Sequence, residues 1–121
     1  MNKRTKGFEY EEVSKNYLIN EGLEYIESNF YTKFGEIDLI FLEDSEVLVF
    51  VEVKYRSSNR YGVSLEAINY QKQKRMINTG NVYITKINWE QSVRYDIIGI
   101  DKDEITWIKN AFGVMINCTR T

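Results

Sequence analysis

Gly35-Glu36-Ile37-Asp38-Leu39-Ile40-Phe41-Leu42 is followed by the acidic stretch Glu43-Asp44-Ser45-Glu46 and then by Val47-Leu48-Val49-Phe50-Val51-Glu52-Val53-Lys54-Tyr55-Arg56. Two apolar, β-branched runs joined by a short polar segment predict an antiparallel hairpin. Side chains two apart along a strand share a face, so Glu52 and Lys54 point one way while Val51, Val53 and Tyr55 point the other. If Asp44, Ser45 and Glu46 form the loop, Asp38 faces Glu52 and Glu36 faces Lys54. Two carboxylates directly opposite each other destabilise a sheet unless a cation lies between them. Charges set into apolar strands are costly unless paired or ligating.

Outward from the hairpin, Gly7 to Glu21 read as an amphipathic helix. At about 100° per residue, Tyr10, Val13, Ser14, Tyr17 and Leu18 form one stripe, with Glu11 at its border. Gly22 supplies a helix stop, and Leu23 to Tyr31 read as a first, irregular strand. Strands from Glu36 to Leu42 and Val47 to Tyr55 follow, and then a basic polar loop from Arg56 to Gly62. Ser64 is an N-cap candidate for a helix over Leu65 to Thr79, closed by Gly80-Asn81. Val82 to Ile87 reads as a strand reached through a helical crossover, hence parallel to strand three. Val93 to Ile100 and Glu104 to Ile108 are further strands, and Gly113 to Thr121 is a short helix or a frayed tail. The expected fold is one α/β domain over residues 1–121, a mixed sheet with flanking helices in the order α-β-β-β-α-β-β.

A chain of 121 residues suits a single core. Its 43% hydrophobic and 14% aromatic content argues against disorder. No apolar run approaches the roughly 20 residues that span a bilayer, and the basic start lacks a signal core. The expectation is a cytoplasmic protein without a membrane partner. No histidine is present, which excludes Ser-His-Asp and Cys-His catalysis and histidine-ligated zinc. The one cysteine, Cys118, can form neither an intramolecular disulfide nor a ligand pair. With 16 basic and 18 acidic residues and a net charge of −2, the overall field does not favour polyanions.

What remains is carboxylate, lysine and metal chemistry. Asp38 and Glu52 on one surface make a hard oxygen site for Mg²⁺ or Mn²⁺. Such an ion polarises a phosphate and lowers the pKa of a bound water, giving a nucleophile without histidine. Lys54, two residues past Glu52, can orient that water or neutralise charge growing on the phosphate. An isolated Glu-x-Lys in a strand is usually a solvated edge or a surface ion pair. The acidic residue on the partner strand and the interior character of Val47-Leu48-Val49-Phe50-Val51 weigh against that here.

Gly35 to Ile40 and Phe50-Val51-Glu52-Val53-Lys54-Tyr55-Arg56 closely resemble the YraN-like family of small bacterial proteins, assigned to the PD-(D/E)XK nuclease superfamily and similar to Holliday-junction resolvases. The resemblance covers nearly the whole chain. Gly7 to Leu18 resembles the family's opening G-x-x-G-E-x-x-A-x-x-Y-L helix, with Glu11 on its glutamate and Tyr17-Leu18 on its Y-L. Gln71-Lys72-Gln73-Lys74-Arg75 resembles its K-x-x-R segment, Val93-Arg94-Tyr95-Asp96-Ile97 its R-[FY]-D strand, and Asn110-Ala111-Phe112 its usual ending. Tyr10 departs from a frequent glycine, Ser14 from alanine and Tyr55 from threonine.

The resemblance implies a restriction-endonuclease-like fold, with Asp38 and Glu52 as metal ligands and Lys54 as the catalytic lysine. It adds the backbone carbonyl of Val53 as a further ligand and Glu11 as the last member of the acidic cluster. A glutamate at a helix border is equally consistent with a surface role. Glu36 is expected to pair with Lys54 or Arg56. Arg56, Arg60, Lys72, Lys74 and Arg75 are candidates for phosphate contacts and Tyr61 for stacking, although charged helix faces are usually just solvated. Asp96 matches a family position or anchors Arg94. The implied activity is divalent-metal-dependent hydrolysis of DNA, with branched or otherwise structured DNA among its substrates; the alternatives are a non-catalytic nucleic-acid-binding module and a scaffold holding a structural ion. Cutting both strands of a junction would call for a homodimer.

Overall fold

The central hairpin forms because its two runs bury alternate side chains against two different helices. A computed structural model describes residues 3–56 and 69–113. Strand β2 spans Gly35–Glu43 and strand β3 spans Val47–Arg56. Leu39, Phe41, Val49 and Val51 pack into one core with Leu18 of helix α1 (Lys3–Asn20). Ile40, Leu48 and Phe50 pack into a second core with Met76 and Tyr83 of helix α2 (Tyr70–Ile87). The two helices therefore cover opposite faces of the sheet. Strands β1 (Glu24–Thr32), β4 (Ser92–Asp101) and β5 (Glu104–Phe112) complete the order α-β-β-β-α-β-β.

The sheet runs β1-β2-β3-β4-β5, antiparallel throughout except for the parallel β3–β4 pair. This is a mixed, restriction-endonuclease-like sheet. Leu39 pairs with Val51 and Glu43 with Val47, so Asp44-Ser45-Glu46 is the expected loop. It turns through left-handed backbone at Asp44 and Ser45 (φ 51° and 60°).

The ladder stops at Leu39–Val51, one pair short of Asp38 and Glu52. There the Val53 N–H donates to Oδ2 of Asp38 at 2.8 Å, so a side chain takes over from strand backbone and the strands part. Glu36 was expected opposite Lys54 but pairs in register with Tyr31 of β1. The irregularity of β1 is real, with a bulge between Tyr25 and Glu27 and Asn29 at φ 53°.

Helix α1 ends as a Schellman motif. Leu23 N–H reaches the Leu18 carbonyl at 3.1 Å, Gly22 N–H reaches that of Ile19 at 3.0 Å, and Gly22 sits at φ 105°. Ser14 and Leu18 of the expected stripe are fully buried, but Val13, at the stripe's edge, is 45% exposed.

Helix α2 departs from expectation at both ends. Ser64 and the first residues of the expected helix lie outside the described residues. The helix is capped by Asn69, whose Oδ1 accepts the Lys72 N–H at 2.8 Å. Gly80-Asn81 does not end it, and Val82 to Ile87 is its last turns rather than a strand. Burial decides this: Met76, Thr79, Gly80 and Tyr83 recur at helical spacing and are all buried, overriding the strand preference of Val82, Ile84 and Thr85. Gly80 is a point of close approach, because a Cβ there would meet the Tyr95 hydroxyl and lie 2.9 Å from Cε2 of Phe50. The stop is Asn88, in left-handed conformation at φ 56°. The strand parallel to β3 after the crossover is β4. No helix among the described residues is long and apolar enough to cross a membrane. The tail beyond Gly113, with Cys118, lies outside them.

Candidate active site

Where β2 and β3 part, four carboxylates and two lysines gather from four elements. Asp38 comes from β2, and Glu52 and Lys54 from β3 on the α2 side. Glu52 is only 5% exposed, and its Oε1 has no hydrogen-bond partner among the described residues. Its Oε2 meets Nζ of Lys72, from the first turn of α2, at 3.4 Å. Burial raises the Glu52 pKa, and the Lys72 charge opposes this first, with Lys54 behind it.

Asp38 is pushed up to about 8, by burial and then by the Glu52 charge. The Val53 N–H pulls the other way, and Glu11 and Glu36 add to the rise. In an extended strand the N–H and C=O of one residue point to the same edge, so the Val53 carbonyl faces the gap that Asp38 borders.

Glu11 reaches the cluster from α1. Asn29 Nδ2 donates to Oε1 of Glu11 and to Oε2 of Glu36, each at 3.1 Å. Burial raises the Glu11 pKa, the Asn29 bond opposes it, and the charges of Glu36 and Glu52 add to it. Glu36 is thus tied to Glu11 through Asn29 rather than paired with Lys54. Sequence reasoning missed Asn29; its signal was a polar residue of high left-handed tolerance inside an aromatic strand.

The other expected contacts separate. Lys74 and Arg75 line a shallow groove of about 230 Å³ with Tyr70, Gln71 and Asn78, whereas Lys72 turns to Glu52. Arg60 and Tyr61 lie outside the described residues, as does the side chain of Arg56. Asp96 is an anchor: fully buried, it accepts from Arg94 Nε at 2.9 Å, Trp107 Nε1 at 2.9 Å and the Asn110 N–H at 2.9 Å. Those bonds restore the ladder at the β4–β5 irregularity between Tyr95 and Ile97.

Residues 10–100, which hold every part of this cluster, match the model of an uncharacterised protein family, UPF0102. The chain belongs to UPF0102. It is 41% identical to a UPF0102 protein of Vibrio parahaemolyticus over 113 residues, covering 90% of this chain and 93% of the relative. A UPF0102 protein of Aliivibrio salmonicida is 44% identical over 115 residues, 91% of this chain and 93% of its own. One from Fusobacterium nucleatum is 38% identical over 111 residues, 91% and 92% respectively. UPF0102, the YraN family, belongs to the PD-(D/E)XK superfamily. The rings of Tyr10 and Tyr55 stack at 4.0 Å and 11°, joining α1 to β3 beside Glu11 and Lys54.

Among the described residues no three acidic groups are drawn close enough to form a ready-made metal cage. Asn29 holds Glu11 and Glu36, and Lys72 holds Glu52. The donor set nonetheless fits a hard divalent cation. It is an all-oxygen cluster with an unsatisfied buried carboxylate oxygen, and its crowded negative charge drives Asp38 toward protonation.

Proposed function

We propose that this chain is a divalent-metal-dependent endonuclease that hydrolyses phosphodiester bonds in nucleic acid, with DNA, branched or otherwise structured, as the substrate class. The observation that carries the proposal is the Asp38–Glu52 pair, two largely buried carboxylates at the split end of the hairpin with lysines on either side. Asp38, Glu52 and the Val53 carbonyl would hold Mg²⁺ or Mn²⁺, with Glu11 completing the shell directly or through water. When bound, the ion supplies the charge that polarises the phosphate and acidifies a water. Lys54 orients that water or meets the charge growing on a phosphate oxygen. With the ion bound, Asp38 and Glu52 would be relieved of their mutual repulsion and held ionised. Lys74, Arg75 and Arg56 would meet flanking phosphates. A cytoplasmic setting and a homodimer presenting two such sites complete the proposal.

The test is cleavage of labelled single-stranded, duplex, flap and four-way-junction DNA with Mg²⁺ or Mn²⁺. We expect cutting of at least one substrate. Asp38→Asn, Glu52→Gln and Lys54→Ala should abolish cutting while binding persists. The Lys72–Glu52 ion pair favours a second reading, a nucleic-acid-binding module in which a lysine has replaced the metal. Binding at low salt with no cleavage of any substrate supports that module; no binding at all removes both.

A further inference from the structure

Glu52 is the most enclosed charge of the cluster, its side chain 6% exposed, and the cation it holds is Lys72, whose side chain is 39% exposed. Lys54 is nearer in sequence but forms no ion pair among the described residues. The contact is half made: Oε2 has Lys72, while Oε1 has no donor among the described residues and the carboxyl's other close neighbour is Asp38. The Lys72 backbone is fixed by the Asn69 cap, and its side chain, part-exposed, reaches Glu52 from the solvent side. A part-exposed lysine can turn its stem into solvent once another cation takes its place, whereas the Glu52 backbone is fixed by its β3–β4 pairing with Ile97.

Resting on the metal-dependent reading above, we propose that Lys72 is the resident counter-ion of Glu52, exchanged for the divalent cation when the ion binds. Lys72 is then a positioning residue. In the metal-free protein it keeps Glu52 from being a buried, unpaired charge. On exchange, its ammonium swings to the solvent edge of the site, on the side where Lys74 and Arg75 line their groove and where the nearest anion would be a phosphate oxygen of the substrate. A single carboxylate thus has two alternative cations, one built in and one bound.

The test uses the full chain without nucleic acid. Mn²⁺ is titrated calorimetrically into wild type, Lys72→Met and Lys74→Met, and each is melted in EDTA and in saturating Mn²⁺. We expect Lys72→Met to bind Mn²⁺ about tenfold more tightly than wild type, between the bulk-water and protein-surface limits for a like charge roughly 4 Å away. Lys74→Met should change affinity less than about twofold, since its charge lies outside the contact. The rise in melting temperature with Mn²⁺ should be larger in Lys72→Met than in wild type, because the ion replaces a lost counter-ion as well as binding the native state. A purely structural Lys72 would instead lower stability equally with and without the ion. If the variant fails to fold, the side-chain amine signals of wild type decide: on adding Mg²⁺ the Lys72 Nζ resonance should move and that of Lys74 should not. Equal Mn²⁺ affinity in wild type and Lys72→Met, or an unmoved Lys72 resonance under bound Mg²⁺, overturns the exchange and leaves the metal reading standing. No Mn²⁺ binding by either protein overturns the metal reading, and the exchange with it.

Discussion

Asp38 does two things that a carboxylate on a strand seldom combines. Its Oδ2 accepts the Val53 N–H, ending the β2–β3 ladder, and its position beside Glu52 makes its ionised form unfavourable. Burial and the Glu52 charge raise its pKa to about 8. The sign follows from linkage: a pKa raised above the unfolded value favours the protonated folded state. Its contribution is therefore complete below about pH 4 and is lost as pH rises toward 8, at up to about 1.4 kcal/mol per pH unit for a single site. Asp38→Asn, which keeps an acceptor for Val53 but cannot ionise, should remove that slope. In denaturant melts with EDTA we expect the variant to be at least as stable as wild type at pH 8 and to lose that advantage near pH 5. A wild-type protein whose metal-free stability is flat between those values would contradict the placement. Asp96 shows that the same residue type need not mean the same thing. More deeply buried than Asp38, it is ringed by N–H donors from Arg94, Trp107 and Asn110, and its role is to hold the β4–β5 irregularity together.

Among the elements, the hairpin was legible and the second helix was not. A loop of given length together with two-residue alternation leaves one register that keeps every apolar side chain inside, which is why Leu39–Val51 pairing could be read from residues alone. In α2, local preference and tertiary burial disagree. Gly80-Asn81 resembles a stop and Val82-Tyr83-Ile84-Thr85 resembles a strand, yet Met76, Gly80 and Tyr83 lie along one buried face. Gly80→Ala tests this. In an exposed helix the change would gain up to about 1 kcal/mol. Here the new methyl meets the buried Tyr95 hydroxyl and the Phe50 ring, so we expect a net loss of about 1–3 kcal/mol in urea melts. A stabilised variant would mean that α2 does not lie this close to β3 and β4.

At the scale of the whole molecule, helices from opposite faces of one sheet deliver Glu11 and Lys72 to the same end of it. The β2–β3 split is what lets both reach the gap. For α1 the seating beside the site is secured by the Tyr10–Tyr55 stack, with Ser14 and Leu18 buried further along. A double-mutant cycle over Tyr10→Ala and Tyr55→Ala should give a coupling of about 0.5–1.5 kcal/mol; additive losses would show that the rings do not support each other. What the amino-acid sequence determined by itself is the shared face of Glu52 and Lys54 and the β2–β3 register as far as Leu39–Val51, which brings Asp38 toward Glu52, since alternation and loop length are local constraints. What only the tertiary structure decided is which groups complete that pair. Lys72 on Glu52 and Asn29 between Glu11 and Glu36 join residues far apart in the chain, and such contacts follow from how two helices seat on a sheet, which no local pattern encodes.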